Sequence, residues 1–191
     1  MSAAILVRLL LWLWLGGALA AGHYGTWAQL PPLGQGALVL TLALGAFSLA
    51  HRLNGLASWI DGLDLRALLL PHACRLAGIY LVVRHLEGDL PRAFMLAAGI
   101  GEAVLAVVAL PLALAPLPDA ARARATRIWA VAALLNLVLV LATMVRLNLQ
   151  GPLLLRELQT LPLSLFPTFL FPLALAGSAL VLRRATRAPA A

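Results

Sequence analysis

Lysine is missing from the 191-residue chain altogether: all fourteen basic residues are arginine, set against seven acids. Charge of either sign is scarce, at 11% of residues, whereas 63% are hydrophobic and the mean hydropathy is +0.97. Soluble domains carry about 25% charged residues, so the outer surface of this chain is built to face lipid. Cys74 is the one cysteine, which excludes an intramolecular disulfide and any cysteine-paired metal motif. The arginines lie at the ends of apolar runs and form no single basic patch, so nucleic acid is not the expected partner. H-E-x-x-H, Walker, nucleophile-elbow and paired-carboxylate patterns are also missing, and nothing supports an enzyme. A lysine-free chain dominated by alanine and leucine suits a GC-rich bacterial genome, and a bacterial inner (cytoplasmic) membrane is the expected location.

What the chain does have is six apolar runs near the roughly 20 residues needed to cross a hydrocarbon core. They cover residues 4–21, 36–53, 66–83, 91–115, 126–145 and 161–182, and none alternates as a strand would. The expected fold is all-α, a polytopic transmembrane helical bundle forming a single integral membrane domain over residues 1–191, with no internal repeat. Turn-rich connections such as "QLPPLGQG", "NGLASWIDGLD", "EGDLP" and "PLPDAARAR" separate the runs. With the N-terminus inside, Arg8, Arg52, Arg66, Arg122, Arg124, Arg127, Arg183, Arg184 and Arg187 fall on the cytoplasmic side. Arg84, Arg92, Arg146 and Arg156 then fall outside, and the positive-inside rule selects N-in/C-in. Tyr24, Trp27, Trp59 and Trp129 sit near predicted ends, where amphipathic rings prefer to lie. Arg8 followed by "LLLWLWLGGALA", with Ala18 and Ala20 in an A-x-A arrangement, also fits a cleavable signal peptide; we read it as an uncleaved first helix.

Three polar side chains fall deep inside these runs. Arg75 lies nine residues into the third, about 14 Å at 1.5 Å per residue. Glu102 lies eleven residues into the fourth, about 16 Å, and Asn136 about 15 Å into the fifth. The two opposite charges therefore share a depth on adjacent helices. Glu102 shares its stripe with Ala98, Ala106, Ala109 and Ala113, small residues of the kind that mark helix contact faces. His72 and Arg75 are three apart and share a face, which continues through Leu68 to Asp64 as a candidate cytoplasmic mouth.

The last run, "LPLSLFPTFLFPLAL", spaces Pro162, Pro167 and Pro172 five apart, which predicts a kink or partial unwinding near Pro167. Ser164, Thr168 and Ser178 share a stripe from which hydroxyls can satisfy freed carbonyls. No metal site and no cofactor is expected. Haem is the one cofactor the histidines could suggest, because His51 and His72 lie toward one face and His23 and His85 toward the other.

The segments "CRLAGIYLVVRHLEGDLPRAFMLAAGIGEAVLAVVALPLA" and "LPLSLFPTFLFPLAL" carry a combined pattern. It runs R-x-x-G (Arg75, Gly78), G-x-L-P-x-x-F (Gly88, Leu90, Pro91, Phe94), A-G-x-G-acid (Ala98, Gly99, Gly101, Glu102) and P-T-F-L (Pro167 to Leu170). In these features the chain resembles a family of small bacterial multi-pass inner-membrane proteins with no assigned function, over about a third of its length. The acid of that family is usually aspartate where this chain has Glu102, one methylene longer. The family often has W-N where this chain has Trp129 and Ala130.

Two readings of the deep polar groups follow. In the first, His72, Arg75, Glu102, Asn136 and Thr168 form a mid-membrane site that binds or passes a small ligand, ion or proton, with Asp64 at its mouth. In the second, the Arg75–Glu102 pair only fixes helix packing in a structural or assembly subunit. A b-type haem cytochrome is a third. Beyond the lipid bilayer, other membrane subunits or a second copy of the chain are the partners to expect.

Overall fold

The computed structural model describes residues 2–151 and 153–187. Among them the chain forms seven helices and no strand: α1 Ala3–His23, α2 Pro32–Arg52, α3 Asn54–Asp61, α4 Leu65–Leu86, α5 Arg92–Leu114, α6 Asp119–Gln150 and α7 Phe166–Arg187. All but α3 are long and apolar enough to cross a membrane. The expected all-α polytopic bundle is therefore what the chain builds, and its six crossings put α1's start and α7's end on one side, here termed the arginine-rich side.

The helix ends follow local chemistry. Ser2 caps α1, its hydroxyl accepting from the Ile5 amide at 3.4 Å. Pro32 opens α2 in the first turn, where a missing N–H leaves no helical bond unmade. Asp64 caps α4 by accepting from the Arg66 amide at 3.1 Å. The stretch read as a loop between the second and third runs is instead the eight-residue α3, because Leu56 and Ile60, four apart, both bury against Ala50. Asp61 at its end ties it to α7 through Arg183 at 3.0 Å and Arg187 at 3.2 Å.

Two spans depart furthest from their expected limits. The fifth begins at Asp119 and covers 32 residues, about 48 Å, well beyond a hydrocarbon core of about 30 Å. Its first turns carry Arg122, which is buried and donates from Nη2 to the carbonyls of Ala115 at 2.9 Å and Leu117 at 3.1 Å, and from Nη1 to that of Leu112. An arginine counted toward topology is thus the cap of α5, satisfying carbonyls that a helix end leaves orphaned. The last span begins at Phe166 rather than Leu161, because residues 161–164 form turns. Pro162 therefore lies outside the helix and Pro167 in its first turn, so the expected mid-helix kink becomes a helix start.

α7 is the central element. It packs along α6 and α2 and touches α4, while α5 lies against α4 and α6. Backbone meets backbone closely at Gly78, where an added Cβ would stand 2.7 Å from the Gly99 carbonyl and 2.9 Å from that of Ala98. α1 lies outermost, held by Trp14, whose indole donates to the Thr168 carbonyl at 2.9 Å and whose ring meets Phe169 edge-on at 5.4 Å. The two larger apolar clusters fill the interior. One gathers Leu81, Phe94, Val140, Met144 and Phe171, the other Leu69, Ala109, Ala113, Ala130 and Val181. Two rings expected at the interface belong to this interior: Trp27 is 2% exposed and Trp129 3%. The Trp129 indole donates to the Leu105 carbonyl at 2.9 Å, so its polar edge is satisfied by backbone instead of headgroups.

Candidate functional site

Three stretches next to the deep polar groups leave α-helical geometry, while Glu102, Asn136 and Ser178 themselves lie in regular α-helix. α4 tightens to a 3-10 helix over Leu70–Ala77, where Pro71 supplies no N–H, and this stretch holds His72 and Arg75. α5 widens to a π-helix over Met95–Gly101, immediately before Glu102. α7 starts with a π-helical turn over Phe166–Leu170, in which the Phe171 amide reaches back five residues to the Phe166 carbonyl. The three departures meet around one cluster lying between the two apolar clusters.

At its centre Arg75 donates from Nη1 to Glu102 Oε2 at 2.9 Å, with the two side chains 1% and 4% exposed. Arg75 Nη2 donates to Ser178 Oγ at 2.5 Å and to the Ala174 carbonyl at 3.2 Å, both on α7. Arg75 Nε donates to His72 Nδ1 at 3.2 Å. Because Nδ1 accepts, the imidazole is neutral with its proton on Nε2. Asn136 on α6 donates from Nδ2 to Glu102 Oε1 at 2.7 Å and to the Ala97 carbonyl at 3.2 Å. Trp129 closes the arginine-rich side, its ring 5.7 Å from the guanidinium carbon and 4.8 Å from the His72 ring. Four helices thus converge on one carboxylate and one guanidinium. Bonds to the described residues occupy four of the five Arg75 N–H groups, leaving one hydrogen on Nη1.

Glycine makes the approach possible. At Gly101 a Cβ would collide with the Asn136 carboxamide, and at Gly177 it would crowd His72 at 3.1 Å. A void of about 10 Å³ lies beside the Arg75–Glu102 pair, between α4 and α7. It is room for about one water molecule.

Arg75, Glu102 and Asn136, which share a depth, come together, and His72 joins them from the face it shares with Arg75. Thr168 and Asp64 do not join them. The Thr168 hydroxyl donates to the Ser164 carbonyl at 2.6 Å, in the turn that leads into α7. The Asp64 side chain is exposed at the start of α4, 3.9 Å from Arg66. Between Asp64 and His72, buried Leu69 packs with Ala113, Trp129 and Val181, so the polar face drawn from the sequence is interrupted by an apolar layer. The hydroxyl stripe alone makes Ser178 a partner for carbonyls of its own helix. It does bond the Ala174 carbonyl at 2.8 Å, but it is also an acceptor for Arg75.

A second buried polar tie was not anticipated. Asn148 of α6 donates to Gln35 Oε1 of α2 at 2.8 Å, and Gln35 Nε2 reaches the carbonyls of Trp27 and Leu30 at 3.3 Å each. Its signal was the glutamine in "GQG", whose flanking Gly36 lets α2 meet Val145 of α6 closely. As for the histidines, the His85 ring contacts the Leu90 carbonyl at 2.6 Å and His51 stacks on Phe47. Among the described residues no group of three or more His, Cys, Asp or Glu side chains is arranged to hold a metal ion.

A family model described as Domain of unknown function (DUF8737) matches residues 32–186. The chain belongs to this family. The DUF8737 region begins at the first residue of α2 and contains every member of the ionic cluster, whereas α1 precedes it. No curated protein and no solved structure is detectably similar to the chain.

Proposed function

We propose that this protein works in a bacterial inner membrane as a proton-linked carrier, with the cluster of His72, Arg75, Glu102 and Asn136 as its working site. The observation that carries the reading is that three non-α segments border that cluster: one holds His72 and Arg75, one ends next to Glu102, and one lines the void beside the pair. Mid-helix 3-10 stretches and π-turns recur at hinges and functional sites, because their weaker hydrogen bonding lets a helix change pitch locally. An ionisable pair near the middle of a bilayer points the same way.

In this reading Glu102 carries the proton and Arg75 is its counter-ion. Asn136 holds the second carboxylate oxygen, and the His72 Nε2 proton is the relay toward the arginine-rich side once the layer of Leu69, Trp129 and Val181 parts. Protonating Glu102 would leave the guanidinium without its counter-charge. A buried charge that loses its partner costs about 3–5 kcal/mol, enough to drive α4 against α5 and α7. The water-sized void suits a proton or water better than a hydrated metal ion.

The competing reading is a packing pair in an assembly subunit, and the near-complete hydrogen bonding of the cluster favours it. Proton flux into proteoliposomes under an imposed potential separates the two. Wild type should exceed empty liposomes, and the charge-neutral double variant Arg75→Met with Glu102→Gln should lose the excess while remaining folded. Equal flux in wild type and double variant, or none above background in wild type, overturns the carrier reading.

A further inference from the structure

We propose that the Arg75–Glu102 site is reached sideways from the lipid, between α4 and α7, and that it takes a membrane-dissolved long-chain carboxylic acid in its neutral, protonated form. The inference rests on the carrier reading above and names its ligand class. The void beside the pair is lined by Cys74, Gly78, Glu102, Phe166, Leu170 and Phe171 among others, and the exposed residue of that lining is Cys74. Cys74 is the tenth residue of the 22-residue α4, so it stands about 14 Å into the span. The medium outside it at that depth is hydrocarbon. From the arginine-rich side, by contrast, Leu69, Trp129 and Val181 cover the cluster.

Chemistry then selects the ligand. A charged species crossing hydrocarbon to Cys74 faces a barrier of at least about 2.5 kcal/mol, whereas a protonated carboxylic acid is neutral and soluble there. Its tail need not enter the protein, because the mouth already opens on acyl chains. The head meets a guanidinium with one Nη1 hydrogen still without an acceptor among the described residues, beside the carboxylate that shares that nitrogen. The exchange balances. The ligand O–H bond breaks and its proton forms a new O–H on Glu102 Oε2, while the Arg75 Nη1 hydrogen bond passes from Glu102 to the ligand carboxylate. The site keeps the same net charge throughout, and Arg75 is never without an anionic partner. Reversal releases the neutral acid.

A carboxyl group needs more room than about 10 Å³, so the mouth must widen. Both of its sides are built for that: Cys74 lies in the 3-10 stretch of α4, and Phe166 and Leu170 lie in the π-turn of α7.

The test uses the full chain in lipid nanodiscs and a diazirine-bearing palmitic acid as photoprobe. The expected result is a saturable adduct mapping to α4 near Cys74 and α7 near Leu170. Excess palmitic acid should suppress it and methyl palmitate, which has no acidic proton, should not. In the Arg75→Met, Glu102→Gln double variant the adduct should fall about tenfold, the factor that corresponds to about 1.4 kcal/mol. Cys74→Phe, which fills the mouth with a side chain, should block the adduct in an otherwise native chain. Competition by the methyl ester equal to that of the acid, or adducts spread evenly over lipid-facing residues, overturns the proposal and needs no variant. An adduct undiminished in a folded double variant overturns it as well. Proton flux in fatty-acid-free liposomes reports on the carrier reading alone. Flux that persists without an acid-selective adduct therefore sinks only the lateral ligand, and an acid-selective adduct without flux sinks only the acid-independent proton path.

Discussion

Arg75 is held by His72, Glu102, Ser178 and the Ala174 carbonyl at once, and the consequence is an asymmetry between single and double substitutions. Arg75→Met alone leaves the Glu102 carboxylate buried without a cation and should cost about 3–5 kcal/mol, read as a lowered Tm in detergent. Adding Glu102→Gln should recover most of that loss, because removing both charges is often nearly neutral. A double variant no more stable than the single one would mean that the pair is not where the cost arises. Gly78→Ala should also be costly, by about 1–3 kcal/mol, because its Cβ would press on the backbone carbonyls of Ala98 and Gly99, which cannot rotate aside. At this scale the sequence was informative about depth. Position along a span places Arg75, Glu102 and Asn136 at one level with no knowledge of contacts. It was uninformative about Ser178 and Trp129, since which neighbour a serine or a ring meets depends on how α6 and α7 rotate about their axes.

α7 shows what an element can hide. Proline spacing alone predicts a kink near Pro167, yet Pro162 and Pro167 mark a turn and a helix start, and only Pro172 lies where an interior bond is lost. In an α-helix a residue at 172 would donate to the Thr168 carbonyl, and here the Trp14 indole of α1 donates to it at 2.9 Å. The two effects should couple. Trp14→Phe should cost about 1 kcal/mol in the native chain and measurably less in a Pro172→Ala background, where an amide can replace the indole. Equal costs in both backgrounds, measured by thermal unfolding in detergent, would disprove the coupling. The exchange between α1 and α7 spans most of the chain, so no local pattern could announce it.

For the whole molecule, six crossings with most arginines on one side predict that side to be cytoplasmic. In a Cys74→Ser background, exposed positions substituted as Thr26→Cys and Leu153→Cys should react with a membrane-impermeant maleimide in intact cells. Gly55→Cys and Ala120→Cys should react only after permeabilisation. The reverse pattern would invert the topology. Arg122 weakens the count slightly, because it is buried as the cap of α5, but it does not change the sign.

By itself the sequence determined that the chain is an all-α membrane bundle, how many times it crosses and at what depth its charges lie. Hydropathy, the 1.5 Å rise and the scarcity of charge are properties of residues in order. Only the tertiary structure decided that the charges meet, that Asp64 and Thr168 stand apart from them and that Leu69 and Trp129 close one approach while Cys74 marks another. Those outcomes depend on the rotation and spacing of helices distant in sequence. Contacts such as the one between Gly78 and Gly99 set these, and they exist only once the bundle has packed.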